Sequence, residues 1–344
     1  MKKLIPAILS DIDGVLVRGK NPIPRTQYAL NYIRQSLKKI YKNTQTPYID
    51  NENIPFLCLT NGGGILEQEK ADQLNDILKL KDNKLDYSNI ILNYTPLRPI
   101  LSQYSDKFII LGGKGKLIEI AESCGLKQFL TIEEFASIYP KYFQERQRIQ
   151  QFKAFEIAKQ RFQQTNSEIF LHIPPAVHGI FILNDPLFWE DNIQLILNYT
   201  VKANKLPIPL YVVNNDLTYA DSFRLNRLAF GAFSIAVISI AEKIYNRNIQ
   251  MQVYGKPSFQ TYDYAKKKLQ NMSQSQIGNI YMIGDNPKSD IKGGNENGCI
   301  TILKRCFLKS DNDYENPGNY VVDDFYEAIQ KICELENIPF QPLM

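Results

Sequence analysis

Short apolar runs alternate with amphipathic stretches along nearly the whole chain. The runs in AILSDI, IPFLCLTNGGG, FIILGGKGK, GIFILNDP, NIYMIGDNP and YVVDD predict buried strands. The stretches QYALNYIRQSLKKI, EQEKADQLNDILKL, LIEIAESCG, NIQLILNYT, SDIKGGNENG and FYEAIQKICEL predict the helices that follow them. Strands that are apolar throughout and separated by helices are typical of a parallel sheet covered on both faces. The pattern therefore predicts an α/β fold with a mostly parallel, doubly wound sheet.

Polar residues that follow predicted strands are unevenly distributed along the chain. They cluster towards both ends of the sequence, whereas the middle carries strand–helix units of its own. A length of 344 residues also suggests two domains. We predict a discontinuous core domain at 1–102 and 251–344, and a second α/β domain inserted at 103–250.

Composition excludes several classes of protein. The net charge of +4 is spread along the chain, so no nucleic-acid partner is expected. Five cysteines, an odd number with no C-x-x-C pair, argue against a disulfide framework and a zinc site. The longest apolar run, Leu228 to Ala241, is shorter than the ~20 residues of a bilayer span. The N-terminal MKKLIPAILS runs directly into aspartates, which predicts a core strand rather than a signal peptide.

Candidate chemistry lies at four predicted strand ends. These ends carry Asp11 and Asp13, Thr60 and Asn61, Lys256, and Asp285 and Asp290. Ligands of open parallel sheets bind outside the carboxyl ends of the strands, so these side chains are expected to meet. Several carboxylates at one point repel each other unless a cation lies among them, and hard oxygen ligands favour Mg2+. The sequence therefore predicts a magnesium site with a lysine beside it, which together would neutralise a phosphoryl group.

The neighbouring residues fit phosphoryl transfer. Thr60 and the backbone N–H groups of Asn61 and Gly62 can donate hydrogen bonds to phosphoryl oxygens. An aspartate that faces a neutralised phosphorus can act as a nucleophile, and its partner two residues on can protonate the leaving oxygen. The closely spaced Asp11 and Asp13 therefore predict one carboxylate that attacks and one that transfers the proton.

These motifs, in this order, resemble those of the haloacid dehalogenase (HAD) superfamily: D-x-D, then threonine or serine, then lysine, then a paired acidic motif. A large insertion between the threonine and lysine motifs resembles the cap of subclass IIA. The stretches LTNGGG, FILNDPLFWEDNIQLIL, NRLAFGAFSIAVISIAEKIY, YGKPSFQTYDYA and GDNPKSDIKGGN resemble the cat eye syndrome critical region protein 5-like branch. The resemblance implies a Rossmann-like core with an inserted α/β cap of the C2 type.

The resemblance also implies residue roles in a phosphatase. Asp11 would form an aspartyl-phosphate, Asp13 would be the general acid and base, and Lys256 would hold the phosphoryl group with Thr60. The presence of Asp13 favours phosphoryl chemistry over carbon–halogen cleavage, because true dehalogenases lack this second aspartate.

The implied metal is Mg2+. Its ligands would be the Asp11 side chain, the Asp13 carbonyl and the Asp285 side chain. Asp290 would orient Lys256 or metal-bound waters.

The substrate is expected to be a small phosphorylated metabolite, linked by resemblance to glycerophospholipid metabolism. The polar stretch VNNDLTYADSFR, from Asn214 to Arg224, offers Asn215, Asp216 and Tyr219 as specificity residues of the inserted domain. Resemblance alone implies a mitochondrial location, with the cytoplasm as the alternative, and it is compatible with a homodimer.

Other interpretations remain open from the sequence. The protein could be a non-catalytic binding or scaffold protein on a retained HAD fold, or a phosphotransferase with an acceptor other than water. The glycines of LGGKGK, at 112, 113 and 115, lack the spacing of nucleotide-binding loops and predict a tight turn. The only histidines, His172 and His178, give little support to histidine-based phosphoryl transfer.

Overall fold

The structure is a computed structural model that describes residues 3–42, 48, 52–143, 156–161, 176–201, 208–219, 225–305 and 311–343. The chain forms two compact units. The first consists of Met1–Asn61, Glu67–Leu92 and Gly255–Met344, and the second of Gly62–Leu66 and Asn93–Tyr254.

Strands and helices alternate in the described part of the chain. The strands are β1 (Ile5–Ser10), β2 (Val17–Arg18), β3 (Asn21–Pro22), β4 (Phe56–Leu59), β5 (Ile90–Ile91), β6 (Ile109–Gly112), β7 (Phe129–Thr131), β8 (Gly179–Ile182), β9 (Leu210–Val212), β10 (Thr218–Tyr219), β11 (Arg227–Leu228), β12 (Met251–Val253), β13 (Ile277–Gly284), β14 (Ile300–Lys304) and β15 (Tyr320–Val322). The α-helices are α1 (Thr26–Ile33), α2 (Leu37–Tyr41), α3 (Glu67–Ile77), α4 (Arg98–Leu101), α5 (Leu117–Ser123), α6 (Ile132–Ile138), α7 (Trp189–Thr200), α8 (Phe230–Tyr245), α9 (Phe259–Asn271), α10 (Lys292–Glu296) and α11 (Phe325–Glu336). Short 3-10 turns lie at Tyr87–Asn89, Thr95–Leu97, Ser102–Tyr104 and Pro140–Tyr142, a π turn at Pro287–Ile291, and a further helical stretch at 156–161.

The first unit is built on a six-stranded sheet with the order β15-β14-β13-β1-β4-β5. Neighbouring strands in it are parallel. All six residues of β1 are buried, as expected for a central strand with both faces covered. The prediction of an α/β fold with a doubly wound parallel sheet is confirmed.

The strand register brings the predicted site motifs to one edge of this sheet. Ser10, the last residue of β1, lies opposite Ile283 of β13 on one side and Cys58 of β4 on the other. Gly284, the last residue of β13, lies opposite Leu303 of β14. The residues that follow β1, β4, β13 and β14 therefore emerge side by side, where parallel sheets bind ligands.

The second unit has its own parallel sheet, with the order β12-β9-β8-β6-β7, and a two-stranded antiparallel pair of β10 and β11. Its apolar core includes Ile110 and Ile182 from the sheet and Phe233 from α8. Residues Met251–Val253 pair with Leu210–Val212, so β12 is an edge strand of this sheet. The main segment of this unit thus runs from Asn93 to Tyr254, with Gly62–Leu66 as a second segment, whereas the inserted domain was predicted from the sequence at 103–250.

One predicted helix is interrupted. The stretch QYALNYIRQSLKKI forms α1 and α2 instead of one continuous helix. Ser36 between them has an extended backbone and forms an antiparallel bridge with Asn53, and the Leu37 N–H donates to the Glu52 carbonyl. Pairing with a distant segment therefore overrides the local helical pattern at this point.

Within the described residues, no helix combines the length and apolar content needed to cross a membrane.

Candidate active site

Asp11 stands at the centre of the candidate site because it follows β1 directly. Its backbone N–H donates to the Ile283 carbonyl at 2.8 Å, which continues the pairing of β1 with β13. The Ser10 hydroxyl donates to the Asp11 carbonyl at 2.8 Å. The residue is 8% exposed, so its carboxylate is largely shielded from bulk solvent and held in a defined place.

Asp13 lies in the turn after Asp11 and is far more open. Its side chain is 60% exposed, and its Oδ2 lies 4.0 Å from Nζ of Lys70 on α3. Gly14 follows with a φ of +88° and donates its N–H to the Val17 carbonyl. A Cβ on Gly14 would lie 1.9 Å from Oδ2 of Asp285, so only glycine allows this turn to approach that carboxylate.

Lys256 is buried and bridges two carboxylates. Its Nζ lies 2.7 Å from Oδ1 of Asp11 and 2.6 Å from Oδ1 of Asp290. Burial lowers the pKa of Lys256, but the two carboxylates outweigh burial, and its pKa is raised. The ammonium therefore stays charged beside the predicted nucleophile.

Asn61 positions Lys256 through a pair of hydrogen bonds. Its Nδ2 donates to the Lys256 carbonyl at 3.0 Å, and its Oδ1 accepts from the Lys256 N–H at 2.7 Å. Thr60, the first residue after β4, is 5% exposed, and its N–H donates to the Ile91 carbonyl. The strand end that carries these two residues thus lies beside the lysine segment, as the motif order predicts.

The two remaining acidic residues follow β13. Asp290 lies in the π turn and is fully buried, and its Oδ2 accepts from the Asn286 N–H at 3.0 Å. A Cβ on Gly284 would lie 2.1 Å from the Asp290 Cβ, so glycine is needed here as well. Burial raises the pKa of Asp290 against the opposing charge of Lys256. Burial and the charge of Asp11 raise the pKa of Asp285 to about 6 against the charges of Lys256 and Lys304.

The carboxylates can hold a cation. One oxygen each from Asp11, Asp285 and Asp290 lies within 4.8 Å of the others. These carboxylates, two of them buried and that of Asp285 half-buried, are hard oxygen donors that fit a divalent ion such as Mg2+. Both oxygens of Asp290 already have partners, Oδ1 in the Lys256 ammonium and Oδ2 in the Asn286 N–H, whereas Lys256 contacts only Oδ1 of Asp11, so Asp11 and Asp285 are the side chains better placed to bind a metal. Asp13 lies outside this side-chain cluster, and its predicted ligand role concerned its backbone carbonyl.

Three residues near the site were not singled out from the sequence: Lys70, which faces Asp13; Gly14, which makes room for Asp285; and Lys304, whose charge acts on Asp285. Lys304 ends the apolar strand ITILK, so a polar residue at a strand end was available as a signal. Lys70 is one lysine of a polar helix, and its sequence context gave no such signal.

The predicted specificity residues lie in the second unit. Tyr219 of β10 lies 5.6 Å below Nζ of Lys114 and lines a cavity of about 160 Å³ with Trp189 and Phe230. The Asp216 carbonyl accepts from the Gly231 N–H at 2.8 Å, and a Cβ on Gly231 would lie 2.4 Å from the Asn215 carbonyl oxygen. Arg224, the last residue of that stretch, and His172 lie outside the described residues.

Other predicted features of the second unit are structural. The ring of His178 lies with Nδ1 3.3 Å from the Phe108 carbonyl, an ordinary main-chain contact. Gly113 and Gly115 have positive φ values and pack against Asn184 and Gly64, which confirms the predicted tight turn.

Two family models match the chain on either side of most of the second unit. A model described as haloacid dehalogenase-like hydrolase matches residues 8–127, and a model described as HAD-hydrolase-like matches residues 253–328. The first match contains Asp11, Asp13 and Thr60, and the second contains Lys256 and the acidic pair. The chain belongs to the haloacid dehalogenase-like hydrolases. The predictions of this superfamily and of an enzyme of the hydrolase type are confirmed.

Two curated proteins are similar to this HAD-like hydrolase. A cardiolipin synthase (CMP-forming) / mitochondrial hydrolase fusion protein of Schizosaccharomyces pombe is 29% identical over 93% of this chain and 51% of its own length. A mitochondrial hydrolase of Saccharomyces cerevisiae is 26% identical over 95% of both chains. The chain thus spans about half the length of the first relative. The expectation of a homodimer finds no support in these matches.

A solved structure shares the HAD-like fold. A hypothetical protein of Pyrococcus horikoshii superposes with a TM-score of 0.63 at 18% identity, over 96% of this chain and 100% of that chain.

Proposed function

We propose that this HAD-like hydrolase is a Mg2+-dependent phosphatase that acts on a small phosphorylated metabolite through an aspartyl-phosphate. The observation that supports this most directly is the buried Lys256 ammonium in contact with Asp11 and Asp290. A fixed cation beside a carboxylate at the carboxyl edge of a parallel sheet suits an anionic group that undergoes nucleophilic attack.

In the proposed reaction, a carboxylate oxygen of Asp11 attacks the phosphorus and the bond from phosphorus to the leaving oxygen breaks. Asp13 gives its proton to that oxygen, which leaves as an alcohol. Asp13 then accepts a proton from a water molecule that attacks the aspartyl-phosphate, and inorganic phosphate and the Asp11 carboxylate are released. The exposure of the Asp13 side chain suits a group that exchanges protons with both the leaving oxygen and water.

Other residues of the site would bind the phosphoryl group or hold the reacting side chains in position. Lys256 holds the Asp11 carboxylate and neutralises phosphoryl charge, and Asp290 and Asn61 hold Lys256 in place. Thr60 and the backbone N–H of Asn61 would donate to phosphoryl oxygens. Bound Mg2+ would supply further charge neutralisation, held by the Asp11 and Asp285 side chains and the Asp13 carbonyl.

The relatives suggest where this activity operates. Both are named mitochondrial hydrolases, and one is fused to a cardiolipin synthase. We therefore propose a mitochondrial location and a substrate linked to glycerophospholipid metabolism. We also propose that the chain belongs to subclass IIA and its cat eye syndrome critical region protein 5-like branch, with the second unit as its cap.

A screen of phosphorylated metabolites tests the proposed activity. Phosphate release from at least one small monoester is expected with Mg2+ present, and EDTA is expected to stop it. Mg2+ should restore the rate and Ca2+ should not, because Ca2+ takes more ligands at longer distances. Undiminished turnover in rigorously metal-free protein would contradict the metal requirement, and no release from any monoester would contradict the phosphatase.

The second unit is expected to set substrate preference. A site that contacts only the phosphoryl group treats all monoesters alike, so discrimination must come from side chains that reach the leaving group. Asp216→Ala and Tyr219→Ala should lower kcat/KM for the best substrate by about tenfold or more, because a pocket that hydrogen-bonds its substrate loses most when a partner is removed.

The measurement is the ratio of kcat/KM for the best substrate to that for p-nitrophenyl phosphate, which offers few groups to recognise. Leu225→Ala, at an exposed leucine of the same unit, serves as the matched control. A ratio that stays at the wild-type value in both variants would remove this segment from substrate recognition.

A further inference from the structure

Lys304 is a second buried lysine at the active-site edge of the first sheet. It is the last residue of β14 and is 4% exposed, close to the 2% of Lys256. Gly284 pairs with Leu303, so the next residues along the two strands, Asp285 and Lys304, emerge side by side. The charge of Lys304 acts on Asp285, which places the ammonium within electrostatic reach of the carboxylate cluster.

A buried ammonium needs a compensating anion, because removing a charge from water costs several kcal/mol. Lys256 has two carboxylates within 2.7 Å. Lys304, by contrast, makes no ion pair within 4.0 Å among residues 3–42, 52–143, 225–305 and 311–343 of the described chain. Within the described residues, its charge is therefore balanced by the longer-range interaction with Asp285 and not by a direct ion pair, which leaves it available to an anionic ligand.

The net charge of the site shows what the Lys304 ammonium would contribute. Asp11, Asp285 and Asp290 supply three carboxylates, and Lys256 supplies one ammonium. With a divalent cation added, the ionised site would be neutral without Lys304 and positive with it. A positive site of low exposure attracts a phosphoryl dianion much more strongly than a neutral one.

We propose that Lys304 is a second phosphoryl-binding cation of this site and acts with Lys256 on the anionic group of the substrate. The proposal rests on the proposed phosphatase function and adds a binding residue to it. The expected signature is a loss of affinity for the phosphoryl group, with a smaller effect on the chemical step.

The test is calorimetric titration of the full-length, Mg2+-loaded protein with inorganic phosphate. Lys304→Met should raise the Kd for phosphate about tenfold or more. It should raise the KM for a monoester in the same proportion while kcat changes less than about threefold. Lys304→Arg, which keeps the charge, should recover most of the affinity. Lys267→Met, at a lysine whose side chain is 74% exposed, is the matched control and should leave phosphate binding unchanged.

Unchanged phosphate affinity in Lys304→Met would overturn the proposal. A fall in thermal stability and kcat without a change in phosphate affinity would show that Lys304 has a purely structural role. Should Lys304→Met fail to fold, Lys304→Gln takes its place with the same expected rise in Kd. Wild-type protein that binds phosphate but hydrolyses no monoester would contradict the phosphatase, and the phosphate titration would still decide the role of Lys304.

Discussion

Asp11→Asn is expected to reduce phosphate release from a confirmed substrate by at least about a thousandfold. A neutral amide cannot attack phosphorus, and no other described carboxylate occupies the same place at the end of β1. The measurement is single-turnover phosphate release at saturating Mg2+. Retention of wild-type turnover by Asp11→Asn would show that the reaction does not pass through this carboxylate.

The fold of this variant should survive, which separates loss of chemistry from loss of structure. Lys256 keeps its contact with Asp290, so the buried ammonium is not left without a partner. The melting temperature of Asp11→Asn should therefore stay close to that of the wild type. Asp263→Asn, at a surface aspartate paired with Lys267, is a matched control that should keep full turnover.

Lys256→Met is expected to have the largest effect on stability. It leaves Asp11 and Asp290 near each other and buried, without the ammonium that both contact. Removing one partner of a buried ion pair costs about 3–5 kcal/mol. Urea unfolding of the metal-free protein at pH 7.5 should show a loss of this size, and turnover should be lost as well.

The pH dependence of the loss follows from the raised pKa of Asp290. A carboxyl group whose folded-state pKa lies above its unfolded value favours the folded state as it takes up a proton, so its penalty is full at high pH and disappears as the pH falls. Without Lys256 this penalty grows, and the deficit of Lys256→Met relative to the wild type should shrink from pH 7.5 to pH 5.5. A variant as stable as the wild type at pH 7.5 would contradict the role of the lysine, and Lys267→Met is the surface control.

Sequence patterns predicted the positions of the candidate residues best where a buried strand ends in a polar residue. Asp11 and Thr60 each follow a strand that is mostly or wholly apolar and buried. Because the ends of parallel strands meet at one edge of the sheet, this pattern predicted where both residues lie. The same reasoning predicted the position of Asp285, which follows the apolar end of β13.

Lys256 shows where this reasoning is incomplete. From the sequence, Lys256 was predicted to follow a strand of the core sheet. In the structure the preceding strand, β12, pairs instead with β9 of the second unit. Lys256 is brought to Asp11 by the Asn61 side chain and by its two carboxylate partners. The hydrogen bonds between Asn61 and Lys256 join residues that are 195 positions apart. The spacing of apolar residues reports only on local structure, so it does not predict such contacts.

Pairing between segments that are separated in the sequence also explains two features that the sequence analysis missed. Ser36 and Asn53 form a bridge that breaks one predicted helix into two, although the local pattern favours a single helix. Lys304 was overlooked although it is the polar residue at the end of the strand ITILK, because the pairing that places this strand beside β13 was not predicted.

The pairing of β1 with β13 has a consequence for synthesis of the protein on the ribosome. One edge of β1 can pair with β4 soon after it leaves the exit tunnel, but its other partner begins only at Ile277. At about 5–20 residues per second, the wait lasts on the order of tens of seconds. During this time a mostly apolar strand, buried along its whole length in the folded protein, has an open edge, which is a template for aggregation. The second unit, complete by Tyr254, can fold meanwhile, so the open edge of β1 is the segment that stays unpaired longest during synthesis of the first sheet.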